Sequence, residues 1–169
     1  MKLFIAVNFD NYTKKRFENI QNNLKAANVS GKFTPSEILH LTVVFIGEVS
    51  GGINKITDIM NFCFTDRITI DFSGTGMFNS SIFFAKAENN PALYLLHNNL
   101  CKCLNLNEIP VEIRPFKPHV TLARTVKANG FEALNYTPFS YEAAGLSLMK
   151  SERINGRIFY SEIYKKELC

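Results

Sequence analysis

Tryptophan is absent from this 169-residue chain, histidine occurs three times, cysteine four times, and no block of like charge interrupts the sequence. Each shortage narrows the chemistry. No apolar run approaches the roughly 20 residues of a membrane-spanning helix, so nothing points to a membrane. The opening Met1–Asn8 stretch is too short for a signal peptide and Asp10 soon follows it, which makes a cytoplasmic protein the expectation. Cys101-Lys-Cys103 is not a Cys-x-x-Cys pair, and Cys63 and Cys169 do not make a second pair to face it. Reduced, half-buried thiols follow, not a zinc site. Two histidines at one site, with no carboxylate at ligand spacing, do not make a metal centre, and no cofactor is expected. The net charge of +4 and pI of about 8.9 are too mild for wholesale duplex binding. They suit a small anionic ligand or the end of an RNA strand.

What is present is globular. A 46% hydrophobic content against 20% charged argues against disorder, and fifteen phenylalanines build an aromatic core. The length suits one domain, residues 1–169, made of two small lobes that share a core. Nothing demands more than a monomer.

Apolar periodicity predicts a strand at Leu3–Asn8 and a helix over about Thr13–Ala27, with Phe17, Ile20, Leu24 and Ala27 on one stripe. Gly31–Ser36 reads as a loop, Leu39–Ile46 as a strand, and Ser50 as the cap of a second helix carrying Ile53, Ile56, Met60 and Cys63. Arg67–Phe72 reads as a strand ended by Gly74 and Gly76, and Ser81–Ala87 as the next. A third helix starts at Pro91 and runs to about residue 105. A short strand at Val111–Arg114 and another at His119–Thr125 follow. The tail, Phe139–Met149 with Arg157–Tyr164, is a hairpin turning at Asn155-Gly156. These strands are too short and too often hairpin-linked for a doubly wound parallel sheet, so the fold class is α+β with two sheet-containing lobes.

The pattern His-x-Thr-x occurs twice, as His40-Leu-Thr42-Val and His119-Val-Thr121-Leu, 79 residues apart (119 − 40). That spacing is close to half the chain, and it implies two related halves that each bring one imidazole to a shared cleft. Imidazole titrates near neutral pH, so a pair supplies one base and one acid at once. On an ideal strand, His40, Thr42 and Val44 share one face, with Leu41, Val43 and Phe45 on the other. His119, Thr121 and Ala123 likewise oppose Val120 and Leu122. Each threonine hydroxyl can donate to a phosphate oxygen beside the ring. Arg124 has the wrong parity. It is either a surface charge or is returned to the cleft by a bulge, the strand end or a long reach. His97, in the third helix beside Leu96 and Leu100 with no threonine partner, reads as a packed or partly exposed helical residue.

The segments Pro35–Val49, around His40 and Thr42, and Arg114–Arg124, around His119 and Thr121, resemble the two signatures of the 2H phosphoesterase superfamily. The branch they look most like is the RNA 2′,3′-cyclic phosphodiesterases, also called 2′-5′ RNA ligases. The resemblance extends to the opening Leu3–Val7 strand, the Gly-rich step ending at Phe78, and the closing Leu146–Ser151 and Gly156–Tyr160 segments. Ser36-Glu37-Ile38-Leu39 departs from the usual approach to the first histidine, and Gly76–Ser81 lacks a proline and an arginine often found there.

The resemblance implies a bilobal, pseudo-twofold fold, with two mostly antiparallel sheets lining a central cleft and helices outside. It also implies metal-independent catalysis, with His40 as proton donor and His119 as proton acceptor. Thr42, Thr121 and Arg124 would be phosphate ligands, and the partner would be an RNA or nucleotide bearing a 2′,3′-cyclic phosphate. Three other readings stay open. They are a 2′-5′ oligonucleotide phosphodiesterase, a small cyclic-nucleotide hydrolase on the same scaffold, and an RNA-end binding module without turnover. Phe4 and Phe78 read as core or lobe-interface residues rather than base-stacking platforms.

Overall fold

The computed structural model describes residues 1–63, 66–111, 114–127 and 134–169. In chain order the elements are β1 (Lys2–Asn8), α1 (Asn11–Ala26), β2 (Ser30–Phe33), a short 3-10 turn (Ser36–Ile38), β3 (His40–Glu48) and α2 (Ile53–Cys63). They continue with β4 (Ile68–Phe78), β5 (Ile82–Ala87), α3 (Pro91–Leu106), β6 (His119–Lys127), β7 (Phe139–Ala143), β8 (Gly145–Ile154) and β9 (Arg157–Glu167). The fold is α+β. Part of the strand expected at Val111–Arg114, residues 112–113, lies outside the described residues.

The strands form an antiparallel array in the order β7-β4-β5-β6-β3-β1-β8-β9, with β2 alongside β6. Its halves are β6-β5-β4-β7 and β3-β1-β8-β9. They are joined into one sheet by a single backbone pairing, Leu41 with Val120, in place of two separate sheets. Each motif strand therefore lies at the inner edge of its own half. All three helices pack on the same face. Phe17 and Leu24 of α1, Ile56 and Met60 of α2, and Leu96 and Leu100 of α3 join Leu41, Phe72, Val120 and Leu148 in one large core. The other face carries a second, small cluster of strand residues, Phe4, Ala6 and Met149 with Tyr160. Among the described residues, no helix is long and apolar enough to cross a membrane.

Local chemistry explains where the elements begin. Asp10, not Thr13, opens α1, because its carboxylate accepts the Thr13 amide at 2.7 Å. Asn90 caps α3 through the Leu93 amide at 3.1 Å, with Pro91 in the first turn. Ser50 does not cap α2. The helix starts at Ile53, after Gly52 at a φ of 82°, which only glycine adopts freely.

Three expectations are corrected. The Gly31–Ser36 loop contains the strand β2, held by β6. Gly74, at a φ of 69°, bulges β4 between Phe72 and Thr75 but does not end it. The arm expected from Phe139 to Met149 is two strands that part at Ala144. β7 pairs β4 at one edge of the array, and β8 pairs β1 and β9 near the other. One residue spans these edges only because the array is strongly curled. The Ala144 carbonyl accepts the Leu168 amide at 2.8 Å, and the Arg67 amide, just before β4, donates to the Cys169 carbonyl at 3.2 Å.

All four cysteines are free thiols. Burial and the neighbouring Cys103 thiol push Cys63 up to about 12, so it stays protonated at neutral pH.

Candidate active site

The two motif strands repeat one burial sequence over their first six residues: half-buried, buried, half-buried, buried, buried, exposed. Leu41 and Val120, both fully buried, pair on the helix face. His40, Thr42, His119 and Thr121 therefore point to the helix-free face. The antiparallel register through that pair sets His40 across from Thr121, and Thr42 across from His119. The arrangement is close to twofold.

Both strands then bulge at the same place. On β3, Thr42 pairs Ala6 and Val44 pairs Ile5, which leaves Val43 unmatched. On β6, Thr121 pairs Phe84 and Ala123 pairs Phe83, which leaves Leu122 unmatched. An extra residue inverts the alternation beyond it. Val44 and Ala123 join the core, contrary to strict period two. Phe45 and Arg124, each five residues after a histidine, turn onto the histidine face. Phe45 pairs Phe4 of the second cluster and is 51% exposed. Arg124 is exposed, and its charge is felt at His40, His119 and Tyr160. The bulge is the physical reason its odd parity does not send it away. Thr125, next in line, is β-branched yet sits at a φ of 49°, a strained conformation for such a residue.

A helix braces each bulge. The His97 ring of α3 donates from Nδ1 to the Val43 carbonyl at 2.7 Å. Gln21 of α1 donates from Nε2 to the Leu122 carbonyl at 2.9 Å and to the Thr34 carbonyl at 2.8 Å. A bulged residue loses its ladder partner, and a buried carbonyl without a donor is costly. His97 is thus a packed helical residue with a task. It stacks on Phe116 at 4.2 Å and 3° while holding β3. Gln21, only 5% exposed on the apolar face of α1, was open to suspicion as a polar residue inside a hydrophobic stripe.

The imidazoles are presented alike. His40 Nδ1 donates to the Ile38 carbonyl at 2.7 Å, and His119 Nδ1 to the Lys117 carbonyl at 2.6 Å. A carbonyl only accepts, so each Nδ1 carries a hydrogen, and in the neutral ring each Nε2 keeps the lone pair. His40 Nε2 lies 3.1 Å from Thr42 Oγ1. Two aromatic rings wall each imidazole: Phe4 at 5.0 Å and Tyr160 at 5.2 Å for His40, Phe78 at 4.9 Å and Phe84 at 5.2 Å for His119. Gly76 makes room for this wall, since a Cβ there would stand 2.5 Å from Phe84 Cζ. Burial lowers both imidazoles below their ordinary value of 6.5, and the Arg124 charge lowers both further. The charge of His119 also bears on His40, so the two titrate as neighbours. Phe84, Gln21 and the brace role of His97 carried no motif signal in the sequence, and Tyr160 stood only at the end of the closing segment that the resemblance reached.

A face bearing two such nitrogens, two hydroxyls and a guanidinium has the chemistry to hold an anionic tetrahedral group and to move protons at it. The chain's relatives carry matching names. An RNA 2′,3′-cyclic phosphodiesterase of Methanothermobacter thermautotrophicus is 26% identical over 133 residues, which is 73% of this chain and 71% of the relative. One of Thermotoga maritima is 29% identical over 133 residues, covering 73% and 70%. The crystal structure of Escherichia coli LigT complexed with 3′-AMP superposes with a TM-score of 0.83 at 21% identity, covering 99% of this chain and 96% of that one. The family model of the 2′-5′ RNA ligase superfamily matches residues 14–155. With two His-x-Thr-x strands meeting at the centre of this sheet, the chain belongs to the 2′-5′ RNA ligase superfamily of 2H phosphoesterases.

Proposed function

We propose that this protein is an RNA 2′,3′-cyclic phosphodiesterase, which opens a terminal 2′,3′-cyclic phosphate to a 2′-phosphate without a metal. The observation that carries the reading is the matched pair of imidazoles on one face, each with Nδ1 tied to a carbonyl two residues upstream. The names of two curated relatives support the substrate class, and so does the 3′-AMP complex of E. coli LigT. The chain acts as one domain, residues 1–169, of two intertwined lobes.

His119 Nε2 takes a proton from water as the water oxygen bonds to phosphorus. The bond from phosphorus to the 3′-oxygen breaks, and that oxygen takes the proton from His40 Nε2. The 2′-phosphate leaves, and proton exchange with solvent resets both rings. Thr42, Thr121 and Arg124 hold the non-bridging oxygens, where negative charge builds. A 5′-hydroxyl in place of water takes the same step, giving its proton to His119 Nε2 while the 3′-oxygen leaves with the His40 proton, and so joins RNA ends through a 2′-5′ bond. The test is hydrolysis of a 2′,3′-cyclic nucleotide in the presence of EDTA. Wild type is expected to turn over, and His40→Ala and His119→Ala to lose roughly 10²–10⁴-fold each. Full activity in either variant, or loss of wild-type activity to the chelator, would overturn the assignment.

A further inference from the structure

On its β3 side, β6 has two neighbours in succession. β3 pairs it only at Val120, through Leu41. Further along, β2 takes that place, with Phe33 opposite Ala123 and Lys32 opposite Arg124. The Thr34 amide, bonded to the Leu122 carbonyl at 2.9 Å, fixes this hand-over at the bulge. Phe33 packs against the core, so Lys32, its neighbour on the strand, projects to the face that carries the imidazoles. Directly opposed cross-strand residues share a face and stand close together.

Two like charges in that relation destabilise a sheet. Neither Lys32 nor Arg124 forms an ion pair with a carboxylate among the described residues. Both side chains are exposed. The strained φ of 49° at Thr125 follows directly on Arg124. Backbone strain of this kind clusters at active sites and ligand clamps, and a bound polyanion would offset the repulsion between the two cations. Arg124 already acts on both imidazoles, and Lys32 stands one strand further out.

Resting on the function proposed above, we infer that Lys32 and Arg124 form a two-phosphate track. Arg124 serves the cyclic phosphate, and Lys32 serves the phosphodiester next to it in the strand. The preferred substrate is then an oligonucleotide ending in a 2′,3′-cyclic phosphate, not a mononucleotide. The experiment compares kcat/KM on a 2′,3′-cyclic mononucleotide, on a dinucleotide with the same end, and on that dinucleotide with a neutral methylphosphonate linkage. It uses wild type, Lys32→Gln and Lys32→Arg. Wild type is expected to favour the charged dinucleotide over the other two substrates by about tenfold. Lys32→Gln is expected to abolish that preference through KM and to lower the salt slope by about one, and Lys32→Arg to restore it.

Equal losses on all three substrates, or a neutral linkage as good as the charged one, would overturn the track. If wild type hydrolyses none of them, the proposed reaction fails. Binding of a dinucleotide 2′-phosphate then decides the track alone. Affinity weakened by Lys32→Gln supports it, and affinity indifferent to Lys32→Gln ends it.

Discussion

The β3 half and the β6 half of the sheet share a backbone and differ in their equipment. Both carry His-x-Thr, both bulge at the next residue, and both tie Nδ1 to a carbonyl two residues upstream. At the position the bulge exposes, one half offers Phe45 and the other Arg124. The braces differ too, with a histidine from α3 on one side and a glutamine from α1 on the other. His40 Nε2 is engaged by Thr42 Oγ1, and no such bond is made by His119 Nε2 among the described residues. A duplicated frame sets where the rings stand, and a few side chains then give its halves different work.

Substitutions at the exposed position separate the halves most widely. Arg124→Ala is expected to lower kcat/KM by about 10²-fold, as loss of a charged transition-state contact does. Phe45→Ala, which removes no charge from the site, is expected to cost less than about tenfold. Equal losses in steady-state kinetics would mean the halves are not specialised as described.

The braces come next. Gln21→Leu leaves the Thr34 carbonyl without this donor and the Leu122 carbonyl with only the Thr34 amide. The expected cost is about 1–3 kcal/mol in denaturant unfolding. His97→Leu is expected to cost a similar amount. Only Gln21→Leu is expected to lower activity about tenfold, because Arg124 lies just past the bulge that Gln21 holds. Activity losses that simply follow the stability losses in both variants would contradict this.

The pH profile gives a smaller but signed effect. The proposed reaction needs a neutral base and a protonated acid, and both rings are lowered below 6.5 in the free protein. The bell of kcat/KM is therefore expected to peak on the acid side of 6.5, with apparent values that belong to the pair. Removing the Arg124 charge lifts both rings, so the residual activity of Arg124→Ala should peak at higher pH than wild type. A peak unmoved or shifted down would show that the guanidinium does not reach them.

The smallest effect is expected at Tyr160. Tyr160→Phe keeps the wall of His40 and should change kcat/KM less than about threefold. Tyr160→Ala opens that wall to water and should raise the His40 titration, which is followed by NMR.

Much of this site was legible in the residues, and the rest had no local signal. Alternation placed His40, Thr42, His119 and Thr121 together on one face, because nothing interrupts either strand before the threonine. The bulges were illegible. Val43 and Leu122 are apolar whichever way they point, and the slip is fixed by the partners on β1 and β5. β2 was missed because Gly31 and Lys32 look like loop, and only β6 makes them strand. The break at Ala144 depends on how far the array curls, which four-residue patterns do not encode. Gly74 signalled a disruption, but its kind, a bulge and not an end, is set by the pairing of β4 with β5.

The most direct test of the central claim is a crystal structure with a nucleoside 2′-phosphate bound. The account predicts one phosphate on the helix-free face, with His40 Nε2 and His119 Nε2 each within about 3.2 Å of its oxygens and the Arg124 guanidinium against it. A phosphate held by a single imidazole, or bound on the helix side of the sheet, would contradict it.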